Sequence, residues 1–123
     1  MSPLTLARFS ASIDKLTGEK VDGLVERFLK DMKDKLESRD WPIVLYAYLV
    51  SKATLNAYTR VLAKKYRGIA INAVNPGFVK TDLNRNMGFL PIEEGRRGPV
   101  TVALLPKDGP SGAFFDRTLV STF

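Results

Sequence analysis

Apolar residues recur along the first third of the chain with the period of a helix. Val21, Leu24, Val25, Phe28, Leu29, Met32 and Leu36 fall at i, i+3, i+4, i+7, i+8, i+11 and i+15, which aligns them as one stripe. Glu26, Arg27, Lys30, Asp31, Asp34 and Lys35 take the opposite face. The pattern predicts an amphipathic surface helix over Gly18–Glu37. Thr17 is placed to cap it, and Glu19 and Asp22 sit in the first turns, where carboxylates suit the positive end of the helix dipole. Residues 1–16 carry no clear period and read as an irregular lead-in.

The stretch "ESRDWP" interrupts the pattern, and Pro42 restricts Trp41 before it. A second helix is predicted over Ile43–Tyr66. Its apolar and small residues include Ala47, Leu49, Val50, Ala53, Leu55, Ala57, Val61 and Leu62. They spread too widely for one stripe, so burial on more than one side is expected. Gly68 stops this helix. The period then shortens to two. Ile69–Val74 predicts a strand, and Asn75-Pro76-Gly77 a loop directly after it. Ile92–Leu105 predicts another helix, with Pro99 suited to a first turn or a kink. "KDGPSG" reads as a turn and Ala113–Phe115 as a short final strand. Helix, glycine, strand and loop in this order belong to the α/β class with a parallel sheet. Without repeats or a low-complexity linker, residues 1–123 read as one domain.

Composition narrows the chemistry. The 123 residues include neither cysteine nor histidine, which removes the commonest general base and the commonest metal ligands. Acid–base work falls to Tyr, Lys, Asp or Glu, and no metal site is expected. No apolar run approaches the roughly 20 residues that span a bilayer. The first residues lack the cationic start and apolar block of a secretory signal. A cytoplasmic protein with no membrane partner is therefore expected. The formal net charge is +6, but the positive residues are scattered. Their densest cluster, "AKKYRG", closes the second predicted helix, where cations complement the dipole. A solvated helix end outweighs a nucleic-acid surface, so no nucleic-acid partner is expected.

Within the second helix, Tyr48 and Lys52 stand four residues apart, one above the other on a face. Free phenols ionise near ~10, too high for a proton shuttle at neutral pH. An ammonium alongside favours the phenolate. Such a pair can give a proton to a carbonyl oxygen or take one from an alcohol. On spacing alone, the same two residues equally describe a solvated pair. In the same way, Asn75-Pro76-Gly77 alone is an ordinary strand-ending turn.

Taken in order, "YLVSKATLNAYTRVLAKKY", Gly68 and "IAINAVNPGFVKT" resemble the short-chain dehydrogenase/reductase family. "KLTGEKVDGLVERFLKDMK" ahead of them and "LLPKDGPSGAFFD" after them are similar to the plant monomeric carbonyl-reductase branch. The resemblance runs from about Ser12 to Phe123. It implies the C-terminal part of a Rossmann-type, doubly wound parallel sheet that uses NADP, with NAD as the other possibility. It implies reduction of a small-molecule ketone or aldehyde, or oxidation of the alcohol. Tyr48 would be the catalytic acid/base, and Lys52 would stabilise its phenolate and hydrogen-bond the nicotinamide ribose. Pro76, Gly77 and Val79 would line the nicotinamide with main-chain groups on its carboxamide. Thr81 would contact the carboxamide or the pyrophosphate. "GFVKTDLNRNMGFL" is long enough for a lid. Residues 17–37 would be the branch's insertion helix, covering a surface that relatives use for dimerisation, so a monomer is implied. Residues 43–123 would hold the catalytic helix, cofactor loop and C-terminal strand.

The sequence departs from the family in three places. It has no G-x-x-x-G-x-G or G-x-G-x-x-G turn for the pyrophosphate, no Asn-Asn-Ala-Gly element, and no strand ending in a catalytic serine. Ser10 and Ser12 precede the first helix and take no such role. The expectation is a reductase lacking its first half, poorly active alone, with the edge of the Ile69–Val74 strand open to association. The alternative is a non-catalytic remnant that acts, if at all, by binding a partner through that edge.

Overall fold

The computed structural model describes residues 15–35 and 42–122. Contacts divide the chain into two compact units, Met1–Val61 and Leu62–Phe123.

In the N-terminal unit, helix α1 spans Gly18–Lys35. Thr17 caps it as its side chain predicts: the Lys20 N–H donates to Thr17 Oγ1 at 3.4 Å. The Val21 N–H donates to the Thr17 carbonyl at 3.2 Å. Val21 is 2% exposed and anchors the stripe, with Leu24, Val25, Phe28 and Met32 half-buried beside it. Leu29 is 57% exposed, so the stripe is narrower than its period predicts. Leu36 and Glu37, which would extend the helix, lie outside the described residues, as does the lead-in up to Asp14. Leu16, at the end of the predicted lead-in, is buried with Val21 and Ala57, and Val61 packs against them.

Helix α2 spans Pro42–Lys65. Proline suits its first position, where an N–H would have no partner. Val50, Thr54 and Ala57 are buried and Val61 half-buried, at i, i+4, i+7 and i+11. They form one row of the helix surface. Leu49 and Leu55, off that row, stay exposed, but Thr59 is buried on the opposite side of the helix and Ala63 half-buried beside it, so burial falls on more than one side, as expected. The buried hydroxyls are satisfied within the helix. Thr54 donates to the Val50 carbonyl at 2.7 Å and Thr59 to the Leu55 carbonyl at 3.0 Å.

The C-terminal unit begins in the last turn of α2. It holds a three-stranded sheet in the order β1 (Ala73–Asn75), β2 (Phe114–Asp116), β3 (Leu119–Ser121). Strands β1 and β2 are parallel, with Val74 opposite Phe115. Strand β3 returns antiparallel, with Val120 opposite Phe115, so the sheet is mixed. The strand predicted over Ile69–Val74 narrows to Ala73–Asn75 because side chains hold its first residues. The Ile71 N–H donates to Ser111 Oγ at 3.0 Å. The Asn72 amide donates to the Pro110 carbonyl at 2.8 Å and accepts the Ala113 N–H at 3.0 Å. The predicted "KDGPSG" turn thus ends as a partner of the strand. Among the described residues, β1 is paired on one edge only.

The helix predicted over Ile92–Leu105 is two helices, α3 (Ile92–Gly95) and α4 (Arg97–Ala103), broken at Arg96. Pro99 has no N–H for the Gly95 carbonyl and its ring crowds that turn, so the helix restarts with Pro99 in its first turn. Helix α4 lies against the β2–β3 hairpin. A Cβ at Gly98 would come within 2.6 Å of the Arg117 carbonyl oxygen, which accounts for glycine there. Among the described residues no helix is long and apolar enough to cross a membrane.

Candidate active site

Tyr48 and Lys52 share a face of α2, as their spacing requires. The Lys52 Nζ stands 5.5 Å from the centroid of the Tyr48 ring, within cation–π range. Both side chains are exposed, Tyr48 by 59%. Ser51 hydrogen-bonds the Tyr48 carbonyl at 2.7 Å through its hydroxyl and so belongs to the helix backbone.

The C-terminal unit brings Pro76, Gly77, Val79 and Thr81 together in one loop. Gly77 has φ of 86°, a left-handed conformation that a side chain resists. The loop from Phe78 to Leu90 is closed at its base. Val79 and Leu90 form a bridge, and the Lys80 N–H donates to the Leu90 carbonyl at 2.9 Å. The Leu90 N–H donates to the Phe78 carbonyl at 3.0 Å. The Phe78 and Phe89 rings meet edge to face at 5.4 Å. The span matches the lid-length segment read from the sequence, and Leu83, Met87 and Phe89 project apolar surface from it.

Asn84, which drew no attention in the sequence, organises this loop. Its amide accepts the Thr81 N–H at 3.1 Å and donates to the Val79 carbonyl at 2.7 Å. The Thr81 carbonyl accepts from the Asn84 and Asn86 N–H groups at 3.2 and 2.9 Å. The available signal was the Thr81-x-x-Asn84 spacing, typical of a cap at the start of a helical turn. That turn is the 3-10 segment Asp82–Asn84.

These bonds decide what the loop can offer a cofactor. The main chain of Thr81 is fully used, so its side chain is what it can present outward. The Val79 carbonyl keeps one lone pair beyond Asn84. The Val79 N–H closes a three-residue turn onto the Gly77 carbonyl at 3.1 Å. The Phe78 N–H has no partner among the described residues. A carboxamide needs one donor and one acceptor, and the Phe78 N–H and the second lone pair of the Val79 carbonyl are the main-chain groups left to supply them. The sequence holds no glycine-rich turn of the kind that cradles a pyrophosphate. Among the described residues no cluster of three acidic side chains could hold a metal ion.

Residues 37–98, half of the chain, match the family described as Enoyl-(Acyl carrier protein) reductase. The chain belongs to the short-chain dehydrogenase/reductase family. It is 52% identical over 112 residues to short-chain dehydrogenase/reductase 1 of Saponaria officinalis, covering 90% of this chain and 37% of that protein. It is 56% identical over 111 residues to (+)-neomenthol dehydrogenase of Capsicum annuum, covering 89% of this chain and 35% of that one. The solved structure of salutaridine reductase from Papaver somniferum superposes with a TM-score of 0.77 at 45% identity. That match covers 91% of this chain and 38% of the reductase. The chain is thus an α/β portion of the Rossmann-type fold of this reductase family, and it spans little more than a third of the length of these relatives.

Proposed function

We propose that this chain is the nicotinamide-side part of an NADP-dependent carbonyl reductase, acting on a small ketone or aldehyde. The observation that carries the reading is the Tyr48–Lys52 pair, one helical turn apart on α2 in a member of a reductase family. The Tyr48 hydroxyl gives its proton to the carbonyl oxygen as that oxygen gains charge. The Lys52 ammonium, already beside the ring, stabilises the phenolate left behind and offers hydrogen bonds to a ribose. Pro76 and Gly77 bring the main chain close to a flat ring, and Val79 and Thr81 supply the polar edge described above. The cofactor supplies the hydride when bound. NADP in preference to NAD, a monomeric state and a cytoplasmic setting rest on the similarity to the plant branch.

These residues include no glycine-rich turn for the pyrophosphate, whose binding energy orients the reacting ring. Slow turnover is therefore the expected behaviour of the 123 residues. The reading is tested by following NADPH oxidation with a panel of ketones and aldehydes, beside Tyr48→Phe. A rate that depends on the Tyr48 hydroxyl supports it. A rate unchanged in Tyr48→Phe removes Tyr48 from the chemistry and the proposal with it.

A further inference from the structure

We propose that Asn75, paired with Asp116, is the positioning residue of the cofactor loop. The inference rests on the reading of Pro76–Thr81 as the nicotinamide-facing segment. Asn75 ends β1 and makes three bonds in different directions. Its side-chain oxygen accepts the Gly77 N–H at 3.1 Å. Its side-chain NH2 donates to Asp116 Oδ1 at 3.2 Å. Its main-chain carbonyl accepts the Arg117 N–H at 2.8 Å. The amide orientation follows from the network, because the Gly77 N–H needs an acceptor and the carboxylate needs a donor.

The bend has little freedom once these bonds are made. Pro76 fixes its own φ and offers no N–H. Gly77 sits at φ 86° with its N–H tied back to Asn75. The Arg117 stem closes the other side, since a Cβ on Gly77 would meet Arg117 Cδ at 3.7 Å. The β2–β3 hairpin therefore sets where the Gly77 backbone lies, and the Asn75–Asp116 bond is the side-chain link between them, beside the main-chain bond from Arg117. Nothing in the motif Asn75-Pro76-Gly77 by itself announces Asp116, which is 41 residues away.

The chemistry of the pair supplies a test by exchange. Asn75→Asp keeps an acceptor for Gly77 but sets two carboxylates against each other, which disfavours both being charged. Asn75→Asp with Asp116→Asn restores one amide and one carboxylate, with the roles reversed. Two readouts on the full chain are used: hydrogen exchange of the Gly77 amide without cofactor, and NADPH titration followed by nicotinamide fluorescence. Asn75→Asp is expected to speed Gly77 exchange and weaken NADPH binding roughly tenfold, the loss of one charge-assisted bond. The double variant is expected to recover both to within about threefold. A merely structural role would lower stability without this reciprocal rescue of affinity. Unchanged Gly77 exchange in Asn75→Asp, or no rescue in the double variant, overturns the pairing. Absence of saturable NADPH binding by the unaltered chain overturns the cofactor reading, and the proposal's claim on the cofactor with it. Gly77 exchange reports on the hydrogen-bonded pair in either case, so the two failures are told apart.

Discussion

In the N-terminal unit, Tyr48 and Lys52 are placed by the helix that carries them: four residues of sequence become one turn of α2. In the C-terminal unit, the loop carrying Pro76, Gly77, Val79 and Thr81 is tied within itself by Asn75 and Asn84 and anchored by partners that the chain reaches only after folding. Asn75 is held by Asp116, Asn72 by Pro110 and Ala113, and Lys80 by Leu90. The first arrangement leaves both side chains exposed, and substituting them disturbs little else. The second arrangement spends its side chains on holding a backbone shape. A change there acts on structure first and on any ligand through it.

The largest effect that distinguishes the two regions is on chemistry. Tyr48→Phe deletes one oxygen from an exposed ring and leaves the helix backbone bonds intact. Its expected cost is ~10²–10⁴-fold in carbonyl reduction, the range for a lost general acid. Stability should change by less than about 0.5 kcal/mol, as at other exposed positions. NADPH oxidation and urea unfolding of the same preparation check the two halves of that statement. A loss of several kcal/mol in stability would show that the tyrosine is part of the packing, and the contrast between the units would break.

Gly88→Ala is the converse. A Cβ at this position would lie 2.2 Å from the Val79 carbonyl carbon and 2.4 Å from the Lys80 nitrogen. Both are backbone atoms at the closed base of the loop, so neither can swing aside. Overpacking of this kind costs about 3 kcal/mol. The measurement is hydrogen exchange of the Lys80 and Leu90 amides, whose bonds close the loop. Protection equal to that of the unaltered chain would mean that the loop has room its geometry denies.

What was legible in the sequence divides along the same line. The period of α1, the Thr17 cap, α2 and the Tyr48–Lys52 pair rest on interactions spanning four residues or fewer, and Asn75-Pro76-Gly77 announces a bend by its residue types alone. These could be read directly. The extent of burial could not, because Leu29 and Leu55 match the period or composition of burial but stay more than half exposed. The strand narrowed from Ile69–Val74 to Ala73–Asn75 because Ser111 and the Asn72 side chain replace part of the ladder. Strand β3 went unread since Leu119–Ser121 is three exposed residues without alternation. The bridging roles of Asn72 and Asn75 escaped notice because an asparagine bonded to a distant segment looks, in sequence, like any asparagine in a turn.

Asn72→Ala sharpens that point with a smaller expected effect. The change removes a donor to the Pro110 carbonyl and an acceptor for the Ala113 N–H. The partners lie just ahead of the central strand β2, with Pro110 exposed and Ala113 half-buried, so water can replace part of what is lost. The expected destabilisation is about 2 kcal/mol, the sum of two ordinary hydrogen bonds. Urea unfolding reads it directly. A neutral result would mean that the β1–β2 ladder alone holds residues 69–72, and that the long-range side-chain bonds are incidental.

The smallest effect is expected at Leu29, and it bears on how the N-terminal unit is built. Leu29 shares the predicted stripe with Val21, yet more than half of its surface is open while Val21 is almost fully covered. If burial and not period sets the energy, Leu29→Gln should change stability by less than about 0.5 kcal/mol, because little apolar area is returned to water. Urea unfolding at low and at high protein concentration is the measurement. A loss above about 1 kcal/mol at both concentrations would place Leu29 inside the packed stripe and widen α1 to the face its sequence predicts. A loss that appears only at high concentration would assign that face to contact between copies of the chain. Either result would give the N-terminal unit a dependence on distant partners, and the local placement of Tyr48 and Lys52 would no longer separate it from the C-terminal one.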